Sequence, residues 1–164
     1  MKDKKGKKVQ TAIIGAAGEY LVLSRLLQRG ILSSLSPFNA YRADILVNTM
    51  DGGRASYIQV KTTTKVGKSE WNVSEKDMRN FDENMFYCFV EINSDPQKIY
   101  VIPAKKVSQV LVESDRAYMA TPMRDGSKRR EHKYRLIKNH FQVKVRAAPD
   151  GWMDKYLENW DQFM

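Results

Sequence analysis

Seven of the eight residues from Met85 to Ile92, MFYCFVEI, are apolar. The run is short, rich in aromatic residues, and followed by the turn formers Ser94-Asp95-Pro96. It predicts a strand covered on both faces. A strand with one wet face would alternate apolar and polar residues instead. The chain must therefore supply layers on both sides of the sheet that holds this strand, which points to an α/β architecture.

Candidates for those layers are visible. Val9 to Arg29 has helical periodicity: Ile13, Ala17, Leu21 and Ser24 mark one stripe, widened by Ile14 and Leu27. Gly30 stands where a helix ends. Gly15 and Gly18 each cost a helix roughly 1 kcal/mol relative to Ala, so they predict close approach of another backbone or a ligand. Pro103 predicts the start of a helix running through Val112. Trp152, Tyr156, Trp160 and Phe163 fall at helical spacing. They predict a C-terminal helix docked on the core or at a dimer contact.

Further strands are expected over Ile31–Leu35, Ala43–Thr49, Ala55–Thr63 and Lys98–Ile102. Asp51-Gly52-Gly53 would join the second and third of the chain's strands as a hairpin. Ser74, with Asp77 three residues on, reads as the N-cap of a short helix. Arg124 to Arg146 holds nine Lys or Arg against two acids and reads as a hairpin or an extended basic segment. No internal repeat or domain boundary is visible. The expectation is a basic flexible tail over residues 1–8 and one domain over residues 9–164. Its fold would be a mixed β-sheet with a β-meander, flanked by helices.

The charge totals narrow the partner. Lys and Arg number 28 and Asp and Glu 19, a net charge of +9. That excess suits a polyanion, nucleic acid first, although a basic protein without such a partner has the same totals. The single cysteine, Cys88, can form no internal disulfide and reads as a buried thiol. The missing disulfides fit a reducing, cytoplasmic setting. No apolar run reaches membrane-span length, and no apolar h-region follows MKDKKGKK, so no membrane partner is expected.

One strand carries chemistry. In Tyr57 to Lys65, YIQVKTTTK, Ile58 and Val60 alternate with Gln59 and Lys61. Residues two apart share a face, so an amide and an ammonium group lie side by side. Hairpin pairing through the Asp51-Gly52-Gly53 turn brings Asp44 across to them. Glu19, the one acid between residues 9 and 29, joins from the small-residue turn GAAGE. Two carboxylates and an amide oxygen are hard ligands suited to Mg²⁺. A lysine beside them can stabilise phosphate charge or orient water. Taken singly, each of these is as readily a surface charge at the end of an element.

On Glu19 in GEYLVLSRLLQRG, Asp44 in YRADILV, and Gln59-Val60-Lys61, the chain resembles the PD-(D/E)XK, or restriction-endonuclease-like, nuclease superfamily. It is similar in particular to the Holliday-junction-resolvase-like branch, where a helix glutamate precedes the aspartate. The resemblance covers roughly residues 9 to 105. It implies a metal-dependent DNA endonuclease, a hydrolase of phosphodiester bonds. Glu19, Asp44 and Gln59 would hold Mg²⁺, with Mn²⁺ able to substitute, and Lys61 would act on the phosphate or the water. It also implies a homodimer, because duplex cutting needs two sites. Gln59 stands where the family usually has a second acid, and Ala43 where the motif name has Pro. The first departure leaves a second reading open, a catalytically inactive DNA-binding protein on the same fold.

Arg42, Lys65, Lys68, Lys128, Arg129 and Arg130 are the candidate contacts to the DNA backbone, which would fix position and supply salt-sensitive affinity. A solvated loop and a solvated basic face are the alternatives. His132 and His140, without cysteine partners, make a poor zinc pair. An RNA-binding module is the remoter reading, since no RNP-like aromatic motif or GXXG loop supports it.

Overall fold

The computed structural model describes residues 4–37, 43–48, 55–79, 82–123, 125–129 and 134–163, with side chains from residue 10 onward. The turn expected at Asp51-Gly52-Gly53 lies outside them, as do Arg42, Arg130 and His132. The most deeply covered strand is β5 (Met85–Glu91), all seven of whose residues are buried. Its neighbours are β3 (Ser56–Thr63), which runs parallel to it, and β6 (Lys98–Pro103), which runs antiparallel. Outside β3 come β2 (Ile45–Val47) and β1 (Ser33–Leu35), both antiparallel, giving the sheet order β1-β2-β3-β5-β6. The expected mixed α/β sheet flanked by helices is therefore present.

The two faces of β5 build two cores. Phe86, Cys88 and Val90 pack with Ile58 and Val60 beneath α1 (Lys4–Gln28), joined by Trp160. Tyr87 and Phe89 pack beneath α2 (Ala104–Ala120), joined by Trp71 and Trp152. Burial pushes the Cys88 thiol well above its ordinary pKa, so it is an inert core group, as its position inside an apolar run predicts.

α1 ends where Gly30 predicts. Gly30 has φ +75°. Its N–H donates to the Leu27 carbonyl, and the Ile31 N–H reaches back to Leu26 at 3.1 Å. That is the Schellman arrangement, which a Cβ at residue 30 would strain. The buried face of α1 is not the expected one. Gly18, Val22 and Leu26 face the sheet, while Ile13, Tyr20 and Leu27 are exposed. The expected stripe counted one apolar row of a helix that has two, and the row with glycine at its head is the one that fits closely against a strand.

Two further expectations change. No helix forms over residues 151–163. Asp154–Tyr156 and Asp161–Phe163 are single 3₁₀ turns, and Trp152 and Trp160 enter opposite cores. Their helical spacing is coincidental, and neither is a dimer contact face. The basic segment supplies one strand, β7 (Tyr134–Lys138). It pairs antiparallel with β4 (Glu70–Ser74), a strand absent from the sequence reading, as a separate two-stranded ribbon. Trp71 and Val73 of β4 point inward, and the Trp71 indole N–H donates to the Val90 carbonyl at 3.0 Å.

Ser74 stands just before the 3₁₀ turn Glu75–Arg79, where the cap was expected, and Asp77, three residues on, reaches back to it. Its Oδ2 accepts the Ser74 N–H at 2.7 Å, and its Oδ1 accepts the Tyr87 hydroxyl at 2.8 Å. Asp77 is buried, so Asp77→Ala takes an acceptor from both groups and is expected to destabilise the protein by about 3 kcal/mol. Asp77→Asn keeps one acceptor and costs less. Urea denaturation of the two variants checks the order.

Candidate active site

The register of β2 on β3 places Ile45 opposite Ile58 and Leu46 opposite Tyr57. One step further, Asp44 comes level with Gln59. The Asp44 N–H donates to the Ile58 carbonyl at 2.8 Å. Asp44 Oδ2 accepts the Val60 N–H at 2.7 Å. The carboxylate is thus anchored by backbone on both sides of Gln59, and this local pairing comes from alternation: Ile45, Val47, Ile58 and Val60 are buried, while Gln59 and Lys61 flank them on the other face.

Glu19 arrives through Gly18. A Cβ on Gly18 would lie 1.9 Å from Thr62 Oγ1, so the helix sits closer to β3 than any side chain permits. Gly15 meets nothing within 4 Å, so among the described residues no other backbone comes close there. With α1 held this near, the Glu19 and Asp44 carboxyls feel each other. Burial first, and then the Asp44 charge, raise the pKa of Glu19. Burial also raises that of Asp44, against the opposing pull of the Val60 N–H and the Lys61 charge. Two carboxyls that resist ionising, with a lysine beside them, make a cation-seeking site.

The donor set can be tested for a metal. Among the described residues no group of three or more His, Cys, Asp or Glu side chains is placed to hold an ion. Here two carboxylates stand with an amide, and the amide supplies what a third acid would. Gln59 Oε1 is buried and has no hydrogen-bond partner in the protein. A buried, unpaired carbonyl oxygen is costly unless something occupies it. Three oxygens from Glu19, Asp44 and Gln59 fit a hard divalent cation that keeps several waters.

The structure brings four of the sequence candidates together: Glu19, Asp44, Gln59 and Lys61. The proposed DNA contacts are placed differently. Lys65 pairs with Glu70 at 2.5 Å, and Lys68 is exposed in the same loop. Lys128 is exposed beyond α2. Arg129 is committed internally, donating to the Thr121 carbonyl at 2.7 Å and lying 4.1 Å over the Tyr118 ring. His140 hydrogen-bonds Asp150 at 2.6 Å, away from the carboxylates. Sequence reasoning missed Glu70, which gathers Lys65 and Lys138. Thr62, one of the threonines after Lys61 that could hydrogen-bond the site or a phosphate, has an unpaired Oγ1 that faces Gly18. The alternation of Trp71 and Val73 was the available signal for β4.

The chain shares its fold with a bacterial homing endonuclease, I-Ssp6803I. The superposition has a TM-score of 0.53 and covers 93% of this chain and 89% of that one, at 15% identity. The fold reaches well past the 9–105 span of the sequence resemblance. No family model and no curated protein matches the chain. No helix among the described residues is long and apolar enough to cross a membrane.

Proposed function

We propose that the protein is a DNA endonuclease of the PD-(D/E)XK type that hydrolyses phosphodiester bonds with Mg²⁺, Mn²⁺ substituting. The observation that carries the reading is the meeting of Asp44, Gln59 and Lys61 on one paired pair of strands, with Glu19 in electrostatic reach. The likeness to I-Ssp6803I supports it at the level of the fold. Glu19, Asp44 and Gln59 would hold the ion, which when bound supplies Lewis acidity at the phosphate and acidifies a water. Asp44 orients the set, because Val60 fixes its carboxylate. Lys61, two residues from Gln59 on the same face, is placed to neutralise phosphate charge and hold the attacking water. Lys68, exposed in the loop after β3, would bear on the DNA backbone. A homodimer would provide the two sites that duplex cutting requires.

The test is cleavage of supercoiled plasmid and of a synthetic four-way junction in Mg²⁺, Mn²⁺ or EDTA. Cutting in either metal and none in EDTA is the expected result, and the preferred substrate narrows the role. Binding without cutting in any metal would instead favour an inactive DNA-binding protein, with the uncharged Gln59 as the reason.

The raised carboxyls also set a pH dependence. In the metal-free protein their protonated forms stabilise the fold. That contribution is complete below their ordinary values of 3.8 and 4.5 and is lost as pH rises through the raised ones. Metal needs them ionised, so Mg²⁺ binding releases protons and tightens over the same window. The rise in melting temperature given by Mg²⁺ should therefore grow as pH climbs from those ordinary values through the raised ones, and vanish in Asp44→Asn. An increment independent of pH would separate these carboxyls from the metal.

A further inference from the structure

The β4–β7 ribbon turns one face to the core and leaves the other open. Trp71, Val73 and Ile137 point inward. On the outer face Asn72 lies across from Leu136, and Ser74 across from Tyr134. Tyr134 is 67% exposed and Leu136 41%. A ring and a leucine exposed side by side on one face are a patch rather than scattered singles. This face is one wall of a cleft of about 620 Å³, the size of a small-ligand site. The C-terminal half of α2 supplies another wall, with Tyr118 and Met119, and Phe141 and Val143 line it as well.

The cleft offers flat surfaces for stacking. Tyr118 is 41% exposed, and the Arg129 guanidinium lies 4.1 Å from its ring centre. A guanidinium on a ring is the start of a stack that a nucleobase can extend. Tyr134 is a second such surface. The cleft is also positive. Arg135 pairs with Asp115, and the two charges cancel. Lys138 and Lys65 share one acid, Glu70, which leaves one positive charge. Arg129 adds another, since its partners, the Tyr118 ring and the Thr121 carbonyl, are neutral. Rings inside a positive cleft suit single-stranded nucleic acid, whose bases stack while its phosphates meet the cations. In a duplex the bases are already stacked on one another and offer no free face to these rings.

Glu70 also ties the cleft to the candidate active site. Lys65 follows Lys61 by four residues, so the shared acid joins Lys138 to the loop that leaves β3.

We propose that this cleft binds a segment of single-stranded DNA, its bases stacked against Tyr134 and the Tyr118–Arg129 pair. Joined to the nuclease reading, on which this step rests, the substrate of the Asp44 site is a duplex with a single-stranded arm. The cleft itself stands without that reading.

Fluorescence anisotropy of a labelled oligothymidylate in EDTA tests the cleft. Tyr134→Ala should weaken binding roughly five- to a hundredfold, the loss of one base–aromatic stack, and Tyr134→Phe should bind as the wild type does. Leu136→Glu puts a negative charge on the cleft wall and should weaken binding too. Circular dichroism should be unchanged in all three. Binding that both Tyr134→Ala and Leu136→Glu leave intact would overturn the proposal, as would a wild type that binds thymidine monophosphate as tightly as the oligonucleotide. Cleavage separates the cleft from the function. In Mg²⁺ the wild type should cut a duplex with an oligothymidylate arm faster than the blunt duplex, and in Tyr134→Ala that ratio should fall to about one. Tyr134-dependent binding with no cutting in any metal removes the nuclease reading and keeps the cleft. Cutting by a protein that binds no oligothymidylate removes the cleft and keeps the nuclease.

Discussion

Asp44→Asn is expected to lower metal-dependent cleavage by roughly a thousandfold while leaving the fold nearly as stable as before. The substitution removes charge and keeps an oxygen that can accept the Val60 N–H, now 2.7 Å from Oδ2. Asp44→Ala removes the acceptor too, leaving a half-buried backbone donor unpaired at a cost of about 1 kcal/mol. The pair of variants thus separates the carboxylate's chemistry from its architectural bond. Loss of cutting in Asn with melting unchanged assigns the charge to the site. Lys61→Ala should lose a comparable amount of rate with little change in metal affinity, since the lysine acts on phosphate or water and not as a ligand. Gel assays of cleavage, with melting curves in and out of Mg²⁺, read both. Equal activity of Asp44→Asn and wild type would sink the assignment.

Much of this site was legible because it depends on short-range rules. Alternation fixes which face Gln59 and Lys61 share, and hairpin pairing carries Asp44 to them within one residue of the register found. The run at Met85 announced a doubly covered strand, and β5 is one. What stayed hidden depends on tertiary choice. α1 carries two apolar rows, and no periodicity says which one meets the sheet; the 1.9 Å approach at Gly18 decides it. The Trp152, Tyr156 and Trp160 spacing imitates a helix, but Gly151 has φ +70° and Glu158 φ +49°, which break the segment into turns. β4 is five residues long, and its partner lies some sixty residues away in a segment dominated by charge, so its pairing leaves little local signal. Of the proposed DNA contacts, Arg129 also bonds within its own chain, to the Tyr118 ring and the Thr121 carbonyl, and neither contact leaves a mark in the sequence.

Two glycines three residues apart on α1 should respond to the same substitution with opposite sign. Gly15→Ala adds a methyl where nothing lies within 4 Å. It is expected to stabilise the protein by up to about 1 kcal/mol, the ordinary gain of Ala over Gly in a helix, and to leave cleavage unchanged. Gly18→Ala drives its methyl to 1.9 Å from Thr62 Oγ1 and 3.0 Å from Thr62 Cβ. The helix must then lift from β3, and overpacking of this kind costs about 1–3 kcal/mol against the same helical gain. The larger effect is on Glu19, the next residue. A displacement of about 1 Å in a group that positions a reacting centre costs on the order of a hundredfold in rate. Gly18→Ala should therefore lose far more activity than stability. Thr62→Ala tests the cause. Thr62 Oγ1 has no partner, so removing it alone is nearly neutral, but in the Gly18→Ala background it takes away the worst contact and should restore part of both quantities. A double-mutant cycle with no coupling between the two positions would show that the helix reaches the strand by some other contact, and that Glu19 owes its place to something other than the glycine beside it.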